Sequence, residues 1–305
     1  MKTEQKTLQA PNGIRLAWRL WQPGEGQARA VMQICHGMAE HGGRYDHFAR
    51  RLTEAGFAVA AADMRGHGLT EGCRGHLADR DGWRLAVDDV ALLAGELKPE
   101  FPSLPLFLFG HSMGSFIVQD ALTAHAGRWR AAILSATSGK PPAIAGLGRL
   151  LARLERLRVG RRGVSALMRR MSFDDFNRAF RPNRTDFDWL SRDTAAVDAY
   201  IADPLCGFDC TVQLWIDMLD ALGGLSHPDR LSALADDLPV LLIAGSRDPV
   251  SAGGKGTRVL ADAYRKAGLD DVTVKIYDGG RHELLNETNR EEVMEDIVHW
   301  CAERL

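Results

Sequence analysis

The sequence predicts an α/β fold: a mostly parallel central sheet covered by helices, with an antiparallel edge at the N-terminus and a helical insertion over one end of the sheet. Three observations lead there. Short continuous apolar runs at 30–35, 57–62, 106–109 and 238–244 alternate with helical patterns, as strands buried on both faces do. The run at 106–109 stops at Gly110-His111-Ser112-Met113-Gly114 and gives way to a helical pattern. From about 143 to 205 no strand-like run occurs.

Composition narrows the class further. The 305 residues suit one large domain with an insertion, read here as a core of 1–139 and 206–305 and a helical cap of 140–205. Lys+Arg of 38 against Asp+Glu of 40 leaves a net charge of -2, which excludes the global basic field of a nucleic-acid binder. Five scattered cysteines do not form a disulfide framework, so a reducing compartment is expected. The first residues, Met1 to Lys6, carry no apolar signal segment, and no 18-residue apolar run exists. The expectation is a cytoplasmic chain that does not span a membrane.

Taken in order, residues 6–21 read as a hairpin, because Pro11-Asn12-Gly13 signals a turn and Ile14, Leu16, Trp18 and Leu20 alternate with Arg15, Ala17 and Arg19. After a turn at 23–26, strand 30–35 runs into the loop His36-Gly37-Met38-Ala39-Glu40-His41. A helix at 45–55 ends at Gly56, and strand 57–62 leads into Asp63-Met64-Arg65-Gly66-His67-Gly68. Asp63 and His67 are expected to shape that loop by local hydrogen bonds. A helix over 83–97 is expected to end before Pro99, and the strand at 106–109 follows. A strand at 130–135, a break at 139–142, a helix at 211–222, strand 238–244, helix 255–267, strand 272–277 and a terminal helix at 290–304 complete the core.

Strand, Gly-x-Ser-x-Gly and helix in succession are the setting of a nucleophile elbow, in which a strained turn projects the serine above the sheet. The plainer reading is a glycine-rich turn with a capping serine, so the assignment needs a base and an acid. Asp248, in Gly245-Ser246-Arg247-Asp248-Pro249, and His282, in Asp278-Gly279-Gly280-Arg281-His282, each follow a strand. Parallel strands bring those ends to one edge. The order serine, aspartate, histidine is that of α/β-hydrolases and differs from the chymotrypsin and subtilisin orders. The plainer readings are a turn or capping aspartate and a surface-loop histidine. The backbone amides of Met38 and Met113 are the expected oxyanion hole.

Rival chemistries lack their patterns. Five of ten histidines fall before residue 77, but no His-Glu-x-x-His or paired Cys-x-x-Cys spacing accompanies them. Gly253-Gly254-Lys255-Gly256-Thr257 departs from a phosphate-binding loop. Neither metal nor cofactor is expected, and the partner is a small acyl ester.

The insertion places Leu147, Leu150, Leu151, Leu154 and Leu157 on one helical stripe. Between 149 and 170 stand eight arginines against the single acid Glu155. Two compatible readings follow: leucines that roof the site, with arginines solvated or paired to acids such as Asp174 and Asp175, or a basic amphipathic segment resting on an anionic lipid surface.

With those residues in view, the chain resembles the monoacylglycerol lipase and lysophospholipase group of α/β-hydrolases. The likeness rests on the stretch from His36 through Tyr45, on Asp63 to Gly68, on Gly110 to Gly114, and on Gly245 to Asp248 with Lys275-Ile276-Tyr277-Asp278-Gly279 before His282. The resemblance implies a cofactor-free serine hydrolase for lipid-like carboxylic esters, with Ser112, Asp248 and His282 as triad and a cap forming the acyl channel. Ala39, Gly42 and Ser115 depart from the usual glycine, serine and glycine. In the insertion only Trp189-Leu190-Ser191-Arg192-Asp193 and Asp203-Pro204-Leu205 are similar to the group. A small-ester carboxylesterase, thioesterase or acyltransferase with the same triad is the alternative, and a binding protein on a hydrolase scaffold the non-enzymatic one.

Overall fold

The computed structural model describes residues 1–24, 26–139, 141 and 145–305. Glu25 in the expected turn, and Lys140 and Pro142 in the expected break, lie outside them, as does the first residue of the expected cap.

Eight strands form one sheet in the order β1-β2-β4-β3-β5-β6-β7-β8: β1 Lys2–Gln9, β2 Arg15–Gln22, β3 Ala30–Cys35, β4 Phe57–Ala62, β5 Leu106–His111, β6 Ala131–Ser135, β7 Val240–Gly245 and β8 Val272–Tyr277. The first two strands pair antiparallel and β2 meets β4 antiparallel, while β3 to β8 are parallel. β3, β6 and β7 are buried along their whole length, which is why they read as continuous apolar runs. Alternation divides the side chains of the parallel strands between two cores. Leu108, Ala132 and Leu242 pack under helices Gly82–Glu100, Met113–Ala124, Val212–Leu222 and Lys255–Lys266. Phe107, Phe109, Ile133 and Ile243 pack under Asp46–Glu54 and Arg290–Ala302 on the other face.

Two expectations are corrected. Pro99 lies inside the last turn of its helix, which runs to Glu100, because at that end a proline removes only one terminal hydrogen bond. The leucine stripe of Ala145–Val159 does not roof the site. Leu147, Leu150, Leu154 and Leu157 are exposed, the last at 82%. The buried residues of that helix are Gly148 and Ala152, whose small size lets it lie close to Val212–Leu222; a Cβ added at Gly148 stands 3.8 Å from Leu219. Arginines of this helix and of the residues after it pair with acids, Arg153 with Asp220, Arg158 with Glu155, Arg162 with Asp79 and Arg169 with Asp174. Among the described residues no helix is long and apolar enough to cross a membrane.

Candidate active site

The topology fixes where the site lies. β3 has β4 on one side and β5 on the other, so the winding reverses there and a crevice opens at the strands' carboxyl ends. The loop after β3 carries Met38, and the turn after β5 carries Ser112.

Ser112 adopts φ 52 and ψ -123, a strained conformation for a non-glycine residue, held by its amide on the Ser135 carbonyl at 3.0 Å. The flanking glycines are required by close approach. A Cβ at Gly110 would lie 2.8 Å from Ser115 Cα, and one at Gly114 would lie 2.2 Å from the His36 carbonyl oxygen. Met113 begins the helix Met113–Ala124, and neither its amide nor that of Met38 makes a hydrogen bond among the described residues. Both amides are therefore free to donate to an oxyanion.

Asp248 and His282 meet. Asp248 is wholly buried, and its Oδ1 accepts from His282 Nδ1 at 2.8 Å. Val250 N and Ser251 N donate to the same carboxylate at 3.0 and 3.1 Å. Burial acts to raise the Asp248 pKa, but the His282 charge and these hydrogen bonds outweigh it and hold the carboxyl below its ordinary value. The two loops come together because a Cβ at Gly245 would lie 2.0 Å from the Gly280 carbonyl oxygen, and the Arg247 amide donates to that carbonyl at 2.9 Å. His282 packs at 4.8 Å on the ring of His111, the neighbour of Ser112, and among the described residues Ser112 Oγ makes no hydrogen bond to it. Such contacts commonly close only when substrate binds.

The remaining candidates have local roles. His36 Nδ1 contacts the Gly37 carbonyl, and its Nε2 accepts from Met64 N at 2.9 Å. Asp63 accepts from the amides of Gly42 and Leu69, each at 2.8 Å, and His67 bonds the Arg65 carbonyl, as expected of loop-shaping groups. Ala39 has φ 55, the left-handed region in which glycine is the easier residue. Its carbonyl accepts from Gly207 N at 3.0 Å and Tyr200 Oη at 3.1 Å, so the loop after β3 is held by residues distant in sequence.

His41, Asp203 and Cys206 place potential metal-ligand atoms within 4.8 Å of one another. Their chemistry is that of a hydrogen-bonded pair. His41 Nδ1 accepts from Gly43 N, which leaves the proton on Nε2 facing Asp203 at 2.9 Å, and burial pushes the Cys206 thiol far up.

One group was not anticipated from the sequence. Arg44 lies between two buried carboxylates, 2.6 Å from Glu40 and 2.6 Å from Glu283, the residue after His282. Glu40 also accepts from Gly37 N at 2.5 Å within the loop after β3, and Arg44 joins that loop to the one carrying His282. The i,i+4 spacing of Glu40 and Arg44 was the available signal; Glu283 had none. Burial opposes ionisation of Glu40, but Arg44, with smaller help from His111 and His36, draws it down to about 2. The stability this carboxylate contributes is present above its unfolded pKa and is lost as pH falls from about 4.5 towards 2. Arg44→Met leaves the carboxylates facing each other and is expected to cost about 3–5 kcal/mol at neutral pH, read by denaturant unfolding. An unchanged midpoint would refute the bridging role.

A parallel sheet with an antiparallel edge, a strained serine after its fifth strand and a buried acid–histidine pair at the same edge define an α/β-hydrolase. The chain belongs to the serine aminopeptidase S33 family, whose model matches residues 26–289, and to the α/β-hydrolase group that contains the monoacylglycerol lipases. It is 33% identical over 303 residues to a monoacylglycerol lipase of Mycolicibacterium smegmatis, covering 96% of this chain and 95% of that protein. It is 30% identical to the monoglyceride lipase of Mus musculus, covering 96% and 89%. Among solved structures, a thermostable carboxyl esterase from Bacillus coagulans in complex with glycerol superposes with a TM-score of 0.90 at 28% identity, over 99% of both chains.

Proposed function

We propose that this chain hydrolyses carboxylic esters of lipid-like alcohols, monoacylglycerols first among them, through an acyl-enzyme on Ser112. The observation that carries the reading is the Asp248–His282 hydrogen bond at the sheet edge that also bears the elbow serine and two free amides. His282 Nε2 takes the Ser112 proton as Oγ attacks the ester carbon, and the amides of Met38 and Met113 receive the oxyanion. Collapse of the tetrahedral adduct breaks the ester C–O bond, and His282 returns the proton to the leaving alcohol. Water, deprotonated by His282, then releases the acid and restores Ser112. Asp248 fixes the Nδ1–H tautomer throughout. The similarity to monoacylglycerol and monoglyceride lipases supports the lipid-ester class. In a series of esters of increasing acyl length, turnover is expected to persist with long-chain monoacylglycerols. A sharp loss beyond short chains would leave a small-ester hydrolase instead.

The segment 140–205 is proposed as the cap, and its exposed leucine ridge as a contact with an anionic lipid surface. Leu147, Leu150, Leu154 and Leu157 stand out from a helix that also carries Arg149, Arg153, Arg156 and Arg158. Exposed leucines between arginines suit the boundary between acyl chains and charged headgroups. Co-sedimentation with anionic vesicles at low salt is expected, weakened in Leu150→Ser/Leu154→Ser. Failure of the unmodified protein to bind would sink the proposal.

A further inference from the structure

Resting on the ester-hydrolase reading, we propose that Trp189, from the proposed cap, is a positioning residue for the base: its indole face seats the His282 ring and stabilises the imidazolium formed during attack. The two ring centroids are 4.7 Å apart with planes at 37°. A cation within about 6 Å of an indole face is attracted by the ring quadrupole, more strongly than by phenyl and more strongly when water is excluded. Trp189 is 5% exposed and His282 2%, so this pair is dry.

The indole is fixed in place. Trp189 N donates to Asn177 Oδ1 at 2.9 Å, and the ring packs on Phe173 at 5.7 Å and Phe176 at 5.2 Å. Its Nε1 has no hydrogen-bond partner among the described residues, so the ring is held by its faces. The main chain on either side is joined to the base's own loop: His282 N donates to the Trp189 carbonyl at 3.4 Å and Glu283 N to the Leu190 carbonyl at 2.8 Å. Glu287, wholly buried, accepts from Arg192 N, Arg192 Nε and Arg281 N at 3.1, 2.9 and 2.9 Å, and Ser191 Oγ donates to the Asn286 carbonyl. This stretch and the histidine loop are thereby one body, and the indole keeps its place on His282 as a loose lid would not.

The other groups around His282 leave this role to Trp189. Asp248 occupies Nδ1. His111 lies 4.8 Å away, but burial, with the His282 charge adding, pushes its pKa down to about 4, so it is neutral at working pH. Glu283 and Glu40 are engaged by Arg44, and the Arg281 guanidinium donates to the carbonyls of Asp188 and Ser191.

The test is the pH profile of kcat/KM on a soluble p-nitrophenyl ester for the wild type, Trp189→Phe and Trp189→Leu. Because the indole stabilises the imidazolium, its loss is expected to move the acid limb of the profile to lower pH. Trp189→Leu is expected to shift that limb down by about 0.5 to 1.5 pH units and to lower kcat about 3- to 30-fold, with Trp189→Phe intermediate. Lower activity with an unmoved limb would assign Trp189 to packing alone and overturn the proposal. If the leucine variant does not fold, the phenylalanine variant decides, a limb unmoved from wild type again overturning it. Fluorophosphonate labelling of the wild type at Ser112 separates the two levels. Labelling with unmoved limbs defeats only this inference, and absence of labelling defeats the hydrolase reading and the inference with it.

Discussion

Ser112→Ala is expected to lower kcat/KM for a monoacylglycerol or p-nitrophenyl ester by about 10⁴- to 10⁶-fold while the protein stays folded. The size follows from what Oγ alone supplies. Without it no acyl-enzyme forms, and the oxyanion amides and bound geometry are left to assist only direct attack by water. Alanine fits the site, since Ser112 holds its conformation through its own amide on Ser135 O and through its carbonyl, which accepts from the amide of Ser115 at 2.9 Å and its Oγ at 2.6 Å. Loss of activity with unchanged thermal unfolding is therefore the expected pair of readings. Near-normal turnover would move the chemistry elsewhere.

Asp248→Asn is expected to cost about 10³- to 10⁴-fold in kcat, with a smaller effect on KM. Asp248 Oδ1 receives His282 Nδ1 and Val250 N, and the other oxygen receives Ser251 N, so every contact of the side chain is with a donor. An amide must turn its NH₂ towards one of them. Facing Ser251, it leaves two buried donors opposed; facing His282, it forces the proton onto Nε2, where the base no longer accepts from Ser112. Either way the charge that steadies the imidazolium is gone. Activity within tenfold of wild type would show that another group orients His282.

Much of this was legible in the sequence, for physical reasons that differ by element. The parallel strands could be read because burial on both faces leaves uninterrupted apolar runs, as at Val240–Gly245. Ser112, Asp248 and His282 could be read because each follows such a run, and parallel pairing brings the ends together. The leucine stripe is legible as a stripe, and of its two readings the exposed leucines oppose only the roof over the site. Periodicity identifies a helix face but not its neighbour, and here Gly148 and Ala152 permitted the closer packing. Trp189 stands in a stretch similar to the family, but nothing in the sequence links it to His282, and Glu283 carries no signal, since their partners, His282 and Arg44, lie 93 and 239 positions away and no spacing rule connects them. Arg281, beside His282, shows the same distance in its bond to Asp188.

The central claim is that Ser112 is the nucleophile, activated by His282. Its most direct test is intact-protein and peptide mass spectrometry after reaction with a fluorophosphonate. One covalent adduct on Ser112 is expected, formed rapidly by the wild type and far more slowly by His282→Ala. A folded, esterolytically active protein with Ser112 unmodified, or labelled equally fast without His282, would contradict the account.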